Sequence, residues 1–236
     1  NTGVPARLNV EVDKPLTVGK GEEPPLSAFE ALGRVTLRRS LTQNTRVLDE
    51  RFVETLRPQY EQGLKAFPTP ATVDASVELV RIEDPRATAG QGTVKSTSTE
   101  VEKVVRMVFE QLTQHPERSL AVVAGTPEHA QEIARGISNA LPHHPSAVPS
   151  FQRRHEPFIV TSADRVDGLR RDSVIFSLGF ANSPQGRQPQ HFGELNGRNG
   201  LRFVMSSLAA ARSWLYLVCA LPLDQLEERM ILAHSG

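Results

Sequence analysis

Leu120-Ala-Val-Val-Ala-Gly-Thr-Pro-Glu-His-Ala-Gln-Glu-Ile-Ala-Arg-Gly-Ile-Ser-Asn-Ala-Leu141 reads as a buried strand, a turn and a helix in one continuous run. Leu120 to Val123 is wholly apolar, as a strand covered on both faces requires. Thr126 offers a hydroxyl to the free N–H groups that open a helix. Pro127 suits the first helical position, where its missing N–H would have had no partner. Ala130, Ile133, Ile137 and Leu141 then recur at helical spacing. A strand feeding such a helix is half of a parallel crossover unit.

The same rhythm extends in both directions. Val77-Glu-Leu-Val-Arg-Ile82 is the first expected strand. Thr99-Glu-Val-Glu102 has capping-box spacing, and Val101, Val104, Val105, Val108 and Leu112 follow at helical intervals, which predicts a helix from about Thr99 to Gln114. Further strands are expected at Phe158-Ile-Val-Thr161, Ser173-Val-Ile-Phe-Ser-Leu178 and Trp214-Leu-Tyr-Leu-Val218. A helix is expected near Leu201 to Arg212 and a closing helix over Leu223 to Leu232. This alternation predicts an α/β domain with a parallel sheet covered by helices. The first 75 residues differ, with few strand signals and helical stretches around Ser27 to Leu32 and Arg46 to Gln62, so residues 1–75 are expected to form a partly helical N-terminal extension and 76–236 the domain itself.

Composition narrows the partners. With 27 basic and 27 acidic residues the chain has no net charge, so no global field holds a polyanion and any nucleic-acid contact needs a local patch. The single cysteine, Cys219, sits in the apolar run Trp214-Leu-Tyr-Leu-Val-Cys-Ala220 and is expected as a buried strand residue, which suits a reducing cytoplasm. No apolar run approaches membrane-spanning length, so no membrane partner is expected. The chain begins at Asn1, without methionine or the features of a signal peptide, and is expected to be a piece of a longer protein.

Individual motifs exclude several chemistries. In Ala89-Gly-Gln-Gly-Thr-Val-Lys-Ser-Thr97, Thr93 and Val94 separate the last glycine from Lys95, whereas a phosphate-binding loop needs the lysine directly after it, so a flexible loop is expected and no nucleotide cofactor in this fragment. Seven histidines, with His143 and His144 adjacent, offer no four-ligand metal set, and no metal is expected. Ser162-Ala-Asp164 has no local histidine to complete a hydrolytic triad. Arg170 and Arg171 precede a strand, and Arg153 and Arg154 precede another. Where the strand ends converge, they are expected to form a phosphate-contacting rim with the hydroxyls of Thr161 and Ser162.

Val160-Thr-Ser-Ala-Asp-Arg-Val-Asp-Gly-Leu-Arg-Arg-Asp-Ser-Val-Ile-Phe-Ser-Leu-Gly-Phe180, followed by Ser183-Pro-Gln-Gly-Arg187, Phe192-Gly-Glu-Leu-Asn196, Gly200-Leu-Arg202 and Leu208 to Val218, resembles motifs V and VI of superfamily 1 helicases of the Upf-like branch. Leu37-Arg-Arg-Ser-Leu-Thr-Gln43, with Tyr60, Gly63-Leu64 and Phe67-Pro68 beyond it, resembles the motif IV region, and Val18-Gly-Lys-Gly-Glu-Glu-Pro-Pro25 resembles motif III with one residue fewer. The resemblance implies the second, RecA-like motor domain of such an enzyme, with a mostly parallel central sheet and helices on both faces. It implies nucleic-acid contacts at Thr161 and Ser162, with Arg170, Arg171 and Arg212 as the neighbouring cations.

The departures from that pattern fall on nucleotide-facing positions. Leu41 and Thr42 stand where motif IV has Tyr-Arg. Asp167 replaces the motif V glutamine and Arg170 its glutamate. Ala209, Ala210 and Ala211 stand where motif VI has Thr-Arg-Ala, so Ala210 replaces the arginine that in the family contacts the terminal phosphate. An arginine of that kind is worth roughly 10³ to 10⁵ in rate. Arg212 is two residues away, about 200° around a helix, and is expected to face elsewhere. The resemblance with these losses implies a degenerate, ATPase-deficient motor domain with no catalytic residue, acting as a scaffold or as a module binding single-stranded DNA or RNA or a protein partner, in contact with the remainder of its parent chain. ATP and Mg belong to it only where the parent retains a phosphate-loop domain. The alternative expectation is a working second motor domain that needs such an upstream domain, and a third is a pure protein-interaction module.

Overall fold

The computed structural model describes residues 76–82, 96–181 and 200–221, together with Leu32, Val35, Leu37, Gln43–Asn44, Arg57, Lys65–Ala66, Phe192 and Leu195. In chain order β1 (Gln43–Asn44) pairs in parallel with β2 (Lys65–Ala66) as a separate two-residue ladder. Then come β3 (Ser76–Arg81), α1 (Ser98–Gln114), β4 (Leu120–Ala124), α2 (Pro127–Ala140), the single-turn α3 (Val148–Phe151), β5 (Ile159–Ser162), β6 (Arg171–Ser177), α4 (Gly200–Leu208) and β7 (Ala211–Cys219). β3 to β7 form one sheet in the order β3-β7-β6-β4-β5, with every pairing parallel. This is the expected α/β architecture, with a parallel central sheet. The expected closing helix at 223–232, and most of the expected helices within 1–75, lie outside the described residues.

Strand alternation builds the two layers. Val122 and Ala124 of β4, Ile175 of β6 and Tyr216 and Val218 of β7 face one side, against Val104, Val108 and Leu112 of α1 and Ile133 and Ile137 of α2. Val123, Val174, Phe176 and Leu215 face the other, against Phe203, Val204 and Leu208 of α4. Helices therefore cover both faces, and β4 is buried along its whole length. At the β3 edge, Val77 and Leu79 remain exposed.

Both long helices on the first face open with the same device. Thr126 Oγ1 accepts from His129 N–H at 3.2 Å, and Thr97 Oγ1 accepts from Glu100 N–H at 3.2 Å. The cap of α1 is thus Thr97, not the expected Thr99. Two hydroxyl-x-x-glutamate spacings overlap in this segment, and the earlier one places Val104, Val108 and Leu112 on the sheet. Thr126→Ala is expected to cost about 1 kcal/mol, the usual value of a lost N-cap, read from the midpoint of urea unfolding at unchanged slope.

Candidate functional site

In an open α/β sheet, ligands bind outside the C-terminal strand ends where neighbouring connections diverge. Here β4 leads through α2 to β5 on one side, and β6 leads through α4 to β7 on the other. The divergence lies between the ends of β4 and β6. Gly125, just beyond β4, donates its N–H to the Ser177 carbonyl at 2.8 Å. A Cβ on Gly125 would stand 2.4 Å from the Leu178 carbonyl oxygen, so the two chains touch at a distance that excludes any side chain.

A buried polar network fills the rest of this crevice. Ser177, the last residue of β6, donates from Oγ to Glu100 Oε1 at 2.6 Å, and Gly179 N–H donates to the same oxygen at 2.9 Å. His129 Nε2 lies 2.7 Å from Ser177 Oγ, and His129 Nδ1 lies 2.8 Å from Ser96 Oγ. Ser96 N–H donates to the Gly179 carbonyl at 2.6 Å. Glu100, His129 and Ser177 are fully buried. Four segments are tied together: the approach to α1, the first turns of α1 and α2, and the exit from β6. Ser96 (φ 67°) and Gly179 (φ 75°) both adopt left-handed backbone within it.

Burial dominates the electrostatics. It pushes the Glu100 carboxyl up to about 7 against the opposing pull of the Ser177 and Gly179 hydrogen bonds, and it pushes the His129 imidazole down to about 4. Cys219, buried as expected at the end of β7, has its thiol pushed up to about 12 by burial, with its own bond to Leu221 opposing and the nearby Glu100 adding to the rise. A thiol held protonated in this way is not a nucleophile.

The expected phosphate-contacting rim does not assemble as one surface. Thr161 and Ser162 end β5, pair with Val123 and Ala124, and are buried. Arg170 and Arg171 stand at the start of β6, and Arg212 stands at the start of β7. In a parallel sheet, starts and ends lie on opposite edges, and the six residue steps from Arg171 to Ser177 along β6 span about 20 Å. The arginines are also engaged. Arg171 donates to the Pro157 carbonyl from Nε at 3.1 Å and Nη2 at 2.8 Å, and burial lowers its pKa, with Asp172 opposing. Arg212 grips both carboxylate oxygens of Glu156 and reaches Asp172 Oδ1 at 2.7 Å. Asp172 Oδ2 in turn accepts from both the N–H and the hydroxyl of Ser119 at 2.9 Å. Arg153 donates to the carbonyls of Pro116, Glu117 and Arg118.

The positions that depart from the helicase pattern also have definite places. Asp167 is half exposed, pairs with Arg202 and accepts from Ser206 Oγ at 3.1 Å, which fastens α4 to the β5–β6 connection. Ala210 is buried among Val174, Phe176 and Leu215. Contrary to the expected helix to Arg212, α4 ends at Leu208 and Ala211–Arg212 open β7. Arg212 still points away from Ala210, now because its guanidinium is drawn to Glu156 and Asp172. Leu41 and Thr42 lie outside the described residues. His144, expected in a solvated pair with His143, is exposed and stacks on Phe109 with ring centroids 4.1 Å apart.

Sequence reasoning missed Glu100 and His129. A usable signal was present: each begins the apolar stripe of its own helix, Glu100 before Val104 and Val108, His129 before Ile133 and Ile137, and an ionisable group on a buried stripe needs a partner. Among known proteins, no family model matches the chain and no curated protein matches it. Among solved structures it is similar to the C-terminal domain of a possible DNA helicase from Lactobacillus plantarum, at 15% identity and a TM-score of 0.37, over 61% of this chain and 73% of that one.

Proposed function

We propose that the chain is a degenerate second motor domain of the helicase type, one that no longer completes an ATP site and serves a larger protein as a scaffold with modest affinity for single-stranded nucleic acid or a protein partner. The observation that carries this reading is Ala210, the position of the family's phosphate-contacting arginine, which is packed into the core under α4. Arg212, the nearest cation in sequence, is committed to Glu156 and Asp172. Asp167, at another altered position, is held by Arg202 and Ser206. ATP and Mg would belong to an upstream phosphate-loop domain of the parent, with this domain contributing its shape.

Equilibrium binding of single-stranded DNA and RNA, followed by fluorescence anisotropy at several salt concentrations, tests the proposal. A shallow salt dependence is expected, reflecting few phosphate contacts. Replacing Arg170 and Arg171 together with alanine is expected to reduce the log–log slope by about 1.4, at roughly 0.7 per contact on a single strand. An unchanged slope would remove these arginines from the contact surface. ATP turnover by the parent that is abolished by Arg212→Ala, with folding intact, would favour the working motor instead.

A further inference from the structure

Taking Ser177 as the donor to Glu100 fixes where the other protons of the buried network sit. Ser177 has one hydroxyl proton, and it points to Glu100 Oε1. Ser177 Oγ must then accept from His129, so Nε2 carries the ring proton and Nδ1 is the bare nitrogen that accepts from Ser96. Both donors to Glu100, Ser177 Oγ–H and Gly179 N–H, converge on Oε1, while the buried Oε2 has no partner among the described residues. Of the two forms the neutral acid leaves less unsatisfied: its carbonyl oxygen accepts twice, and its Oε2 hydroxyl forgoes one neutral hydrogen bond rather than stranding a charge. In a carboxylate the two oxygens share the charge and both need donors.

We propose that Ser96, His129, Ser177 and Glu100 form a neutral, proton-held latch: the proton on Glu100 keeps the segment entering α1 and the segment leaving β6 clamped over the crevice between β4 and β6, and its loss releases them. Between about pH 4.5 and 6.5, where His129 is charged and Glu100 ionised in water, folding moves a proton from one to the other and replaces two solvated charges by an uncharged pair that burial tolerates. The latch is a property of this domain itself and stands apart from its role in the parent.

Among the described residues, the surroundings add little charge of either sign. From α2 the ionisable group facing Glu100 is His129, with Nε2 at 3.7 Å from Oε1. From β6 the neighbour is the Ser177 hydroxyl. From β7 it is the protonated Cys219 thiol, and from β3 it is the exposed Arg81, paired in register with Cys219.

The two groups act on stability in opposite directions. Glu100 has its pKa raised on folding, so its contribution is complete below about 4.5 and is lost as pH climbs through about 7. His129 has its pKa lowered on folding, so its contribution is complete above about 6.5 and is lost as pH falls through about 4. Between those limits the two nearly cancel, and the wild-type latch loosens by a similar small factor on either side of about pH 5.5, through His129 on the acid side and Glu100 on the alkaline side.

Hydrogen exchange of the full chain, corrected for intrinsic rates, reads the latch in peptides covering 96–101 and 174–181. From about pH 6 to about pH 8 the opening equilibrium is expected to rise about 2.5-fold in the wild type. In Glu100→Gln, whose amide keeps the accepting oxygen but cannot ionise, it is expected to fall about fourfold as only the His129 contribution remains, a tenfold divergence between the proteins. Parallel pH profiles in the two proteins would overturn the proposal, as would loss of protection in Glu100→Gln at about pH 6. Imidazole nitrogen shifts of wild-type His129 give a test that does not depend on the variant's folding. A neutral ring protonated at Nε2 at about pH 7 is expected, and a doubly protonated ring would overturn the latch.

Discussion

Gly179→Ala is expected to lower the free energy of unfolding by about 4 kcal/mol. Its φ of 75° lies in the left-handed region, which costs a non-glycine residue about 1–2 kcal/mol. The added Cβ would also stand 2.5 Å from His129 Cγ and 2.6 Å from Cδ2. The imidazole cannot swing aside, because Ser177 and Ser96 hold its two nitrogens at 2.7 and 2.8 Å, and breaking such buried bonds costs about 1–3 kcal/mol each. Urea unfolding of the single variants and of Gly179→Ala combined with His129→Ala separates the two causes. With Cγ and Cδ2 removed, the glycine substitution should cost no more than about 2 kcal/mol. An equal cost in both backgrounds would show that backbone strain alone demands glycine, and that the imidazole has room to move.

Arg212→Met is expected to cost about 3 kcal/mol. The substitution removes the charge that holds the Glu156 and Asp172 carboxylates together at the starts of β5, β6 and β7, and it leaves both acids partly buried. Removing one partner of a buried pair typically costs about 3–5 kcal/mol. Arg212 is 23% exposed, with Glu156 at 32% and Asp172 at 37%, which places the value at the low end. Glu156 also adopts a left-handed φ of 49°, a conformation its grip by Arg212 helps maintain. Arg212→Met combined with Asp172→Asn should recover part of the loss, because one of the stranded charges is gone. Unfolding unchanged by Arg212→Met, with weakened nucleic-acid binding, would instead make Arg212 a ligand contact, as the resemblance to helicases implied.

The sheet was legible wherever covered strands demand unbroken apolar runs. Leu120 to Ala124, Val174 to Phe176 and Leu215 to Val218 have no other stable place in a domain of this size, and each lies in its expected strand. The start of α2 was equally legible, because Thr126 and Pro127 satisfy the helix end by local chemistry alone. The start of α1 was not. Thr97 and Thr99 each have a glutamate three residues on, and local spacing cannot choose between them. Packing against β6 chooses Thr97, since only that register brings Glu100 under Ser177. The end of α4 was placed four residues too late because Ala209-Ala-Ala211 has high helix propensity, whereas pairing of Arg171 with Ala211 draws the chain into β7.

The sequence by itself determined the order of strands and helices, their apolar faces and the cap of α2, because each depends on neighbours within about four residues. Tertiary structure decided which residues meet. In a parallel sheet it set Thr161 and Ser162 on one edge and Arg170, Arg171 and Arg212 on the other. It brought together Ser96, Glu100, His129 and Ser177, residues up to 81 positions apart, at the one place where connections diverge. Their protonation follows from that meeting, since a carboxyl and an imidazole removed from water are cheapest to bury without charge.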